Sequence, residues 1–326
     1  MDYEIKDCID SGTEYCPCPL AESHDCIICS HLQGSTFCDC KNWKGVCVYN
    51  TLKTNGNKAV KRRSTYEGTI VNKSIIGDNY IAIEVKVPHH LVEKLKDPGS
   101  FVFLRTKNSS VFFDAPISII EADDEEDILY MALEIRGVKT KAIGKLEIND
   151  KLFVRGPYWN GVLGLKNIKN LKNEKAAIIF RGIGFACTTQ VIKRMLANNN
   201  QLEVIIDPSD IKEEKILDYL KHFNVQIKSL NTMNDADLSG EVVEEIEDLI
   251  KNDIKLIYIS GPDILISNII NKFGDVVKYG CSNNAKMCCG EGVCGSCTAR
   301  YDGRIIKKLC KVQVDPKYIF EGRWLL

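Results

Sequence analysis

This sequence carries almost no net charge. Its 43 lysines and arginines stand against 44 aspartates and glutamates, a formal charge of −1. No global field draws such a chain to nucleic acid or to an acidic lipid surface. Long apolar runs are also missing, and nothing approaches the ~18 residues that span a bilayer. The opening segment Met1-Asp2-Tyr3-Glu4-Ile5-Lys6-Asp7 lacks the basic start and apolar stretch of an export signal, so a cytoplasmic location is expected. Aliphatic residues are scarce over positions 1–62, too scarce for a core built without help. No acid, base and nucleophile stand together as a constellation. Bound cofactors are then expected to carry the chemistry, with the protein supplying orientation and electrostatics.

Cysteine is what the chain has in quantity. There are fifteen, eight of them within residues 8–47, six within 281–310, and Cys187 alone between. In a reducing compartment such clusters point to metal ligation rather than to disulfides. The later cluster is the more specific. Cys289, Cys294, Cys297 and Cys310 follow C-x4-C-x2-C-x12-C, and the first three match plant-type [2Fe–2S] spacing. Gly290, Gly292 and Gly295 let the backbone bend tightly and turn N–H groups toward cluster sulfurs. A zinc loop would favour two CxxC units, and only one is present. Cys288 competes with Cys289 as first ligand by a one-residue slip, and Cys281 is a reserve.

The earlier cluster is Cys8, Cys16, Cys18, Cys26, Cys29, Cys38, Cys40 and Cys47. Eight thiolates suit two four-ligand sites, either additional iron–sulfur clusters or zinc. Residues 1–62 therefore read as a Cys-rich metal module that folds only with its metal. Asn55–Arg63 reads as a basic linker whose four cations are solvated.

From Tyr66 to about Val162 the texture is β. Thr69–Val71, Tyr80–Val87, Phe101–Arg105, Phe112–Ile119, Ile128–Ile135 and Lys151–Val154 are short apolar or alternating segments, with one helix near Thr140–Leu146. Such regular spacing predicts a small antiparallel barrel or sandwich. Pro116 inside its strand predicts an edge or a kink. After Lys175 strands and helices alternate: Ala176–Phe180, Gly184–Asn199, Leu202–Ile206, Lys212–His222, Val225–Lys228, Gly240–Lys251, Leu256–Ser260 and Pro262–Phe273. That alternation predicts a doubly wound parallel sheet.

Gly182 and Gly184, in Arg181-Gly182-Ile183-Gly184-Phe185-Ala186, leave a strand and open a helix. A pyrophosphate could approach there, although an ordinary strand–helix turn reads the same. Asp207 ends the next strand, where an acid would meet an adenosine ribose; a surface turn acid fits equally well. Gly261 and Pro262 close the fourth strand of this unit.

The order of these motifs resembles the ferredoxin–NADP reductase superfamily over roughly residues 66 to 326. Within it the chain is most similar to iron–sulfur flavoproteins of the dihydroorotate dehydrogenase electron-transfer-subunit type. The small subunit of NADH-dependent reduced ferredoxin:NADP oxidoreductase is a close relative of that type. The resemblance implies an α+β multidomain chain: 1–62 a Cys-rich module, 63–165 an FAD-binding β-barrel, 166–275 an NAD(P)-binding α/β domain, and 276–326 a [2Fe–2S] domain. It carries over Pro116, Ile117 and Ser118 as flavin contacts, and Gly137, Lys139 and Thr140 as the FAD phosphate segment. It places Gly156-Pro157-Tyr158-Trp159-Asn160-Gly161 after the barrel. Gly182, Gly184, Gly261 and Pro262 become the nicotinamide-side loops. The family usually has Arg directly before Pro-Ile-Ser, where this chain has Ala115 preceded by Asp114; a cation is lost and an anion gained. The implied function is an electron-transfer subunit moving electrons between NAD(P)H, FAD and a [2Fe–2S] cluster. Its partner would be a larger flavoprotein or dehydrogenase catalytic subunit, or a ferredoxin. A stand-alone reductase for a soluble acceptor and a non-catalytic metal-binding interaction module are the competing readings.

Overall fold

A computed structural model describes residues 8–38, 47–301 and 305–320. Two short helices, α1 (Pro19–Glu22) and α2 (Val48–Thr54), belong to the cysteine-rich start. The next strands are β1 (Thr65–Gly77) and β2 (Tyr80–Lys86), then helix α3 (His89–Glu93), β3 (Phe101–Thr106), β4 (Ala115–Asp123), β5 (Ile128–Glu134), helix α4 (Val138–Gly144) and β6 (Lys151–Tyr158). They close an antiparallel barrel in the order β1-β2-β5-β4-β3-β6. The first strand is much longer than Thr69–Val71 because its two halves serve different neighbours. Thr65–Thr69 pairs with β6, and Thr69–Gly77 pairs with β2. Inside, Ile70, Val85, Val102, Leu104, Leu129 and Val154 are fully buried.

The barrel has no free edge, so the expectation from Pro116 needs adjusting. Residues 115–118 of β4 pair with β3, whereas pairing with β5 begins only at Ile119. Pro116 therefore sits where one flank of the strand is open, which a residue without an N–H tolerates. Phe112 and Phe113, expected as part of that strand, lie in a 3₁₀ turn, Val111–Phe113, instead.

The following unit contains β7 (Val162–Leu163), α5 (Leu165–Asn170), β8 (Lys175–Arg181), α6 (Phe185–Ala197), β9 (Gln201–Asp207), α7 (Glu213–Leu220), β10 (Gln226–Ser229), the ribbon β11 (Met233–Asn234) and β12 (Asp237–Leu238), α8 (Gly240–Lys251), β13 (Leu256–Ser260), α9 (Asp263–Phe273) and β14 (Lys278–Ser282). Its six-stranded sheet runs β10-β9-β8-β13-β14-β7, parallel except for β7. The buried run in β8 shows why it is doubly wound. Ala176, Ile178 and Phe180 join Val191, Ile192 and Met195 of α6 on one face. Ala177 and Ile179 join Val242 and Ile246 of α8 and Ile266 of α9 on the other. Successive residues point to opposite faces, so a strand covered on both sides must be apolar throughout. Because β14 belongs to this sheet, the unit extends to Ser282, past the boundary at 275/276. After β14 come a cysteine loop and a hairpin, β15 (Thr298–Tyr301) with β16 (Ile305–Lys308).

No helix among the described residues is long and apolar enough to cross a membrane.

Candidate functional site

In the sheet order, the next strands in sequence, β9 and β10, lie on one side of β8, whereas β13 and then β14 lie on the other. The boundary between β8 and β13 is thus the topological switch point, where open α/β sheets place ligands at the strand ends. Gly182–Gly184 leaves β8 there, and Gly261-Pro262 leaves β13 beside it. Gly182 has φ +51°, a left-handed conformation suited to glycine. Gly184 is required for a different reason: a Cβ would lie 2.5 Å from the Ser260 carbonyl oxygen. Gly184→Ala should therefore push β13 from α6, costing about 1–3 kcal/mol by overpacking. A thermal melt checks the stability, and a loss of dinucleotide affinity should accompany it. Unchanged melting and affinity would refute the tight approach. Cys187, in the first turn of α6, is half-buried, with its thiol 3.0 Å from Ser260 Oγ. Burial pushes that thiol up from its ordinary value.

Asp207 does end β9, but its carboxylate is buried and engaged. It pairs with Arg181, and it accepts from Thr232 N at 2.8 Å, Thr232 Oγ1 at 2.6 Å and Ser209 N at 3.1 Å. The group at this end of the sheet with an exposed share is Arg181, whose side chain keeps 25% of its surface.

The barrel side holds a second arrangement. The anion gained at Asp114 is 1% exposed and held by two arginines. Arg105 Nη1 donates to one oxygen at 2.8 Å and Arg155 Nε to the other at 2.7 Å. These cations come from β3 and β6, not from the position before Pro116. The trio carries a net positive charge, and Arg105 Nε is buried without a partner among the described residues. Lys139, near the start of α4, donates to the Asp114 carbonyl at 2.9 Å. Its ammonium also lies 5.6 Å from the Phe112 ring centroid. Phe112 and Val138 are 75% and 72% exposed, and Pro116 is exposed on β4. Ile117 is buried and Ser118 half-buried. Thr140 Oγ1 accepts from Arg136 N at 3.1 Å, fixing the turn through Gly137. Exposed apolar side chains next to a cationic cluster form a surface that asks for a ligand.

Arg155 also reaches the C-terminal cysteines. Its Nη1 donates to the Cys289 carbonyl at 3.1 Å, and Tyr158 Oη lies 3.4 Å from the same oxygen. Gly290 presses onto the Tyr158 ring so closely that no side chain fits. The loop turns at Gly290, Gly292 and Gly295, with φ of +70°, +76° and +76°. Cys310 hydrogen-bonds to Cys289 and Cys297, and Cys294 to Cys289. Cys289 Sγ also accepts from Glu291 N at 3.3 Å. The Cys310 hydrogen bond, with backbone N–H groups adding to it, holds the Cys289 thiol down to about 4. The same donor holds Cys297 down to about 7. Of the two competing first ligands, Cys289 is half-buried in this cluster, while Cys288 is exposed. Cys281 lies in the sheet core on β14.

A buried quartet that sequence reading missed lies behind this loop. Arg63 pairs with Asp10 at 2.7 Å and with Glu291 at 3.1 Å; Lys311 pairs with Glu291 at 2.9 Å and also with Asp10. Arg63 is therefore not a solvated linker cation. Its guanidinium is sandwiched near the rings of Tyr15 and Tyr158, at 4.3 and 4.4 Å. Nothing in a run of four basic residues distinguishes the one that is buried.

Among the N-terminal cysteines, Cys8 and Cys26 are buried, Cys16, Cys18, Cys29 and Cys47 partly so, and Cys38 is exposed. Cys40 lies outside the described residues. No group of three or more His, Cys, Asp or Glu among the described residues converges on a single-ion position.

No family model matches the chain. It is 26% identical over 209 residues to the electron transfer subunit of dihydroorotate dehydrogenase B (NAD(+)) from Clostridium acetobutylicum, covering 63% of this chain and 78% of that one. The subunit of the same name from Bacillus mycoides is 22% identical over 247 residues, covering 74% and 92%. Among solved structures, an NADH-dependent reduced ferredoxin-NADP oxidoreductase described for flavin-based electron bifurcation superposes with TM-score 0.63 at 18% identity, covering 77% of this chain and 89% of that one. Ferredoxin-NADP+ reductase from Plasmodium falciparum gives 0.50 at 17% identity, covering 64% and 89%. The chain thus has the barrel-plus-α/β fold of the ferredoxin–NADP reductases and resembles, in sequence, the electron transfer subunits of dihydroorotate dehydrogenase B.

Proposed function

We propose that this chain is the electron-transfer subunit of an iron–sulfur flavoenzyme, linking NAD(P)H, FAD and a [2Fe–2S] cluster to a catalytic partner. The observation that carries this reading is Arg155. One guanidinium joins Asp114, beside the flavin surface, to the carbonyl of Cys289 in the cysteine loop. Two would-be cofactor sites thereby share a single half-buried cation. When bound, FAD would exchange a hydride on the nicotinamide side and release electrons singly to a cluster that takes one at a time.

The residues present fit those groups. Pro116, Ile117 and Ser118 line the open flank of β4, and Phe112 and Val138 supply an apolar surface for a ring system. Lys139 and the net positive Arg105–Asp114–Arg155 trio stand where an anionic phosphate needs compensation, replacing the missing Arg at position 115. Cys289, Cys294, Cys297 and Cys310 offer four thiols, brought together by the glycine turns of the loop. Gly182, Gly184, Gly261 and Pro262 form the crevice for the dinucleotide, with Arg181 at its edge. The partner would be a dehydrogenase catalytic subunit or larger flavoprotein, by likeness to the subunits named above, or a ferredoxin.

Acid release and chromatography test the flavin assignment on the purified chain. FAD should be recovered at about one per chain; FMN alone, or no flavin, would overturn it. NAD(P)H oxidation with an artificial acceptor should accompany the FAD. Its absence in FAD-loaded protein would favour the interaction module.

A further inference from the structure

A second set of thiols lies outside the line from nicotinamide to cysteine loop. Cys8, Cys16, Cys18 and Cys26 wall one small enclosed cavity, completed by aliphatic side chains such as Leu20 and Ile27 and by Asp10. Buried cysteines often serve as small hydrophobes. That explanation is weak here, because among the described residues the buried apolar side chains of this segment are few: Cys8, Leu20, Ala21, Cys26, Leu32 and Leu52. So little burial does not offset the entropy of ordering the segment, and metal binding is the usual source of the missing free energy.

The position of the cavity is the second observation. Ile9 N donates to the Lys311 carbonyl at 2.8 Å, and Cys8 forms a β-bridge with Val312, two residues beyond Cys310. Bridge spacing plus two residues of chain places the Cα atoms of Cys8 and Cys310 within roughly 13 Å. Leu20, on the cavity wall, lies against the other cysteine loop: a Cβ on Gly292 would come within 2.8 Å of it. The buried quartet fills the seam. Asp10 stands between Cys8 and Cys16, Glu291 between Cys289 and Cys294, and Lys311 follows Cys310. Asp10 of the N-terminal segment is neutralised by Lys311, which follows Cys310, and by Arg63, which also pairs with Glu291 of the C-terminal loop.

We infer that Cys8, Cys16, Cys18 and Cys26, which ring one cavity without converging on a single-ion position, form a four-thiolate centre for an iron–sulfur cluster, docked on the C-terminal cysteine loop through the Asp10–Arg63–Glu291–Lys311 quartet. Each thiol that ligates releases its proton to solvent, and no net oxidation or reduction accompanies ligation. The inference does not depend on the flavin assignment.

The test uses the full-length chain, purified without oxygen, with total iron and zinc measured beside the electron paramagnetic resonance spectrum. Cys16→Ser and Cys18→Ser should each lose metal while flavin and the C-terminal cluster signal remain as controls of folding. Loss of about four irons per chain supports a [4Fe–4S] centre, which would extend the electron path. Loss of about one zinc with iron unchanged, or iron and zinc both unchanged, would overturn it. Mass-spectrometric mapping of alkylated thiols in the wild-type protein gives a second reading that needs no variant. These four cysteines should label only after chelation, and labelling at the same rate before and after would overturn the centre.

Discussion

Cys294→Ala should abolish the reduced [2Fe–2S] resonance and remove about two irons per chain, while FAD and the oxidation of NAD(P)H by a two-electron acceptor persist. Cys294 is exposed, so losing its sulfur leaves no hole in the core. Its contact with Cys289 is one of three thiol contacts that draw the set together, and Cys310 supplies the others. One-electron delivery to a partner should fall to background in this variant. An intact resonance would mean that the cluster, if present, uses other ligands.

Arg63→Met should be the most damaging substitution for stability. It leaves Asp10 and Glu291 buried with Lys311 as their one remaining cation in the quartet. Removing one member of a buried ionic set costs on the order of 3–5 kcal/mol, because the others stay desolvated. Thermal melting of the full-length protein measures it, and a change under 1 kcal/mol would show that the quartet is not what joins the N-terminal segment to the loop. The quartet also predicts a pH dependence. Burial pushes the Asp10 carboxyl up, but Arg63 and Lys311 more than offset this and hold it below its ordinary 3.8. A carboxyl depressed in the folded state stabilises fully above the unfolded value and loses that contribution as pH falls through the folded one. The wild-type melting temperature should therefore drop on acidification below about pH 4, and Arg63→Met should flatten that drop.

Where local pattern governs, the fold was readable from sequence. The run Ala176–Phe180 is apolar at every position because both its faces are covered, and Gly240–Lys251 and Leu256–Ser260 appear with the expected bounds. Strand β14 was not readable. Lys278-Tyr279-Gly280-Cys281-Ser282 has little strand character of its own, and pairing with β13 makes it one. Gly280 is needed there because Ile168 of α5 approaches it, with a Cβ position only 2.8 Å from Ile168 Cδ1. The candidate site divides the same way. Cysteine spacing and the glycines that turn the loop are local signals. The partners of Asp114 are not, since Arg105 and Arg155 lie nine and 41 residues away and meet it only when the barrel closes. Asp207 looked available for a ribose for the same reason: Arg181 and Thr232 claim it only in three dimensions.

Anaerobic titration of the full-length protein with NADH and with NADPH, followed together by flavin absorbance and electron paramagnetic resonance, tests the proposed electron path most directly. The expected result is bleaching of the flavin by at least one of the two, accompanied by a reduced [2Fe–2S] resonance that is absent before addition and absent in Cys294→Ala. Bleaching of the flavin with no cluster signal at any potential the dinucleotide reaches, or a protein that neither dinucleotide reduces, would contradict it.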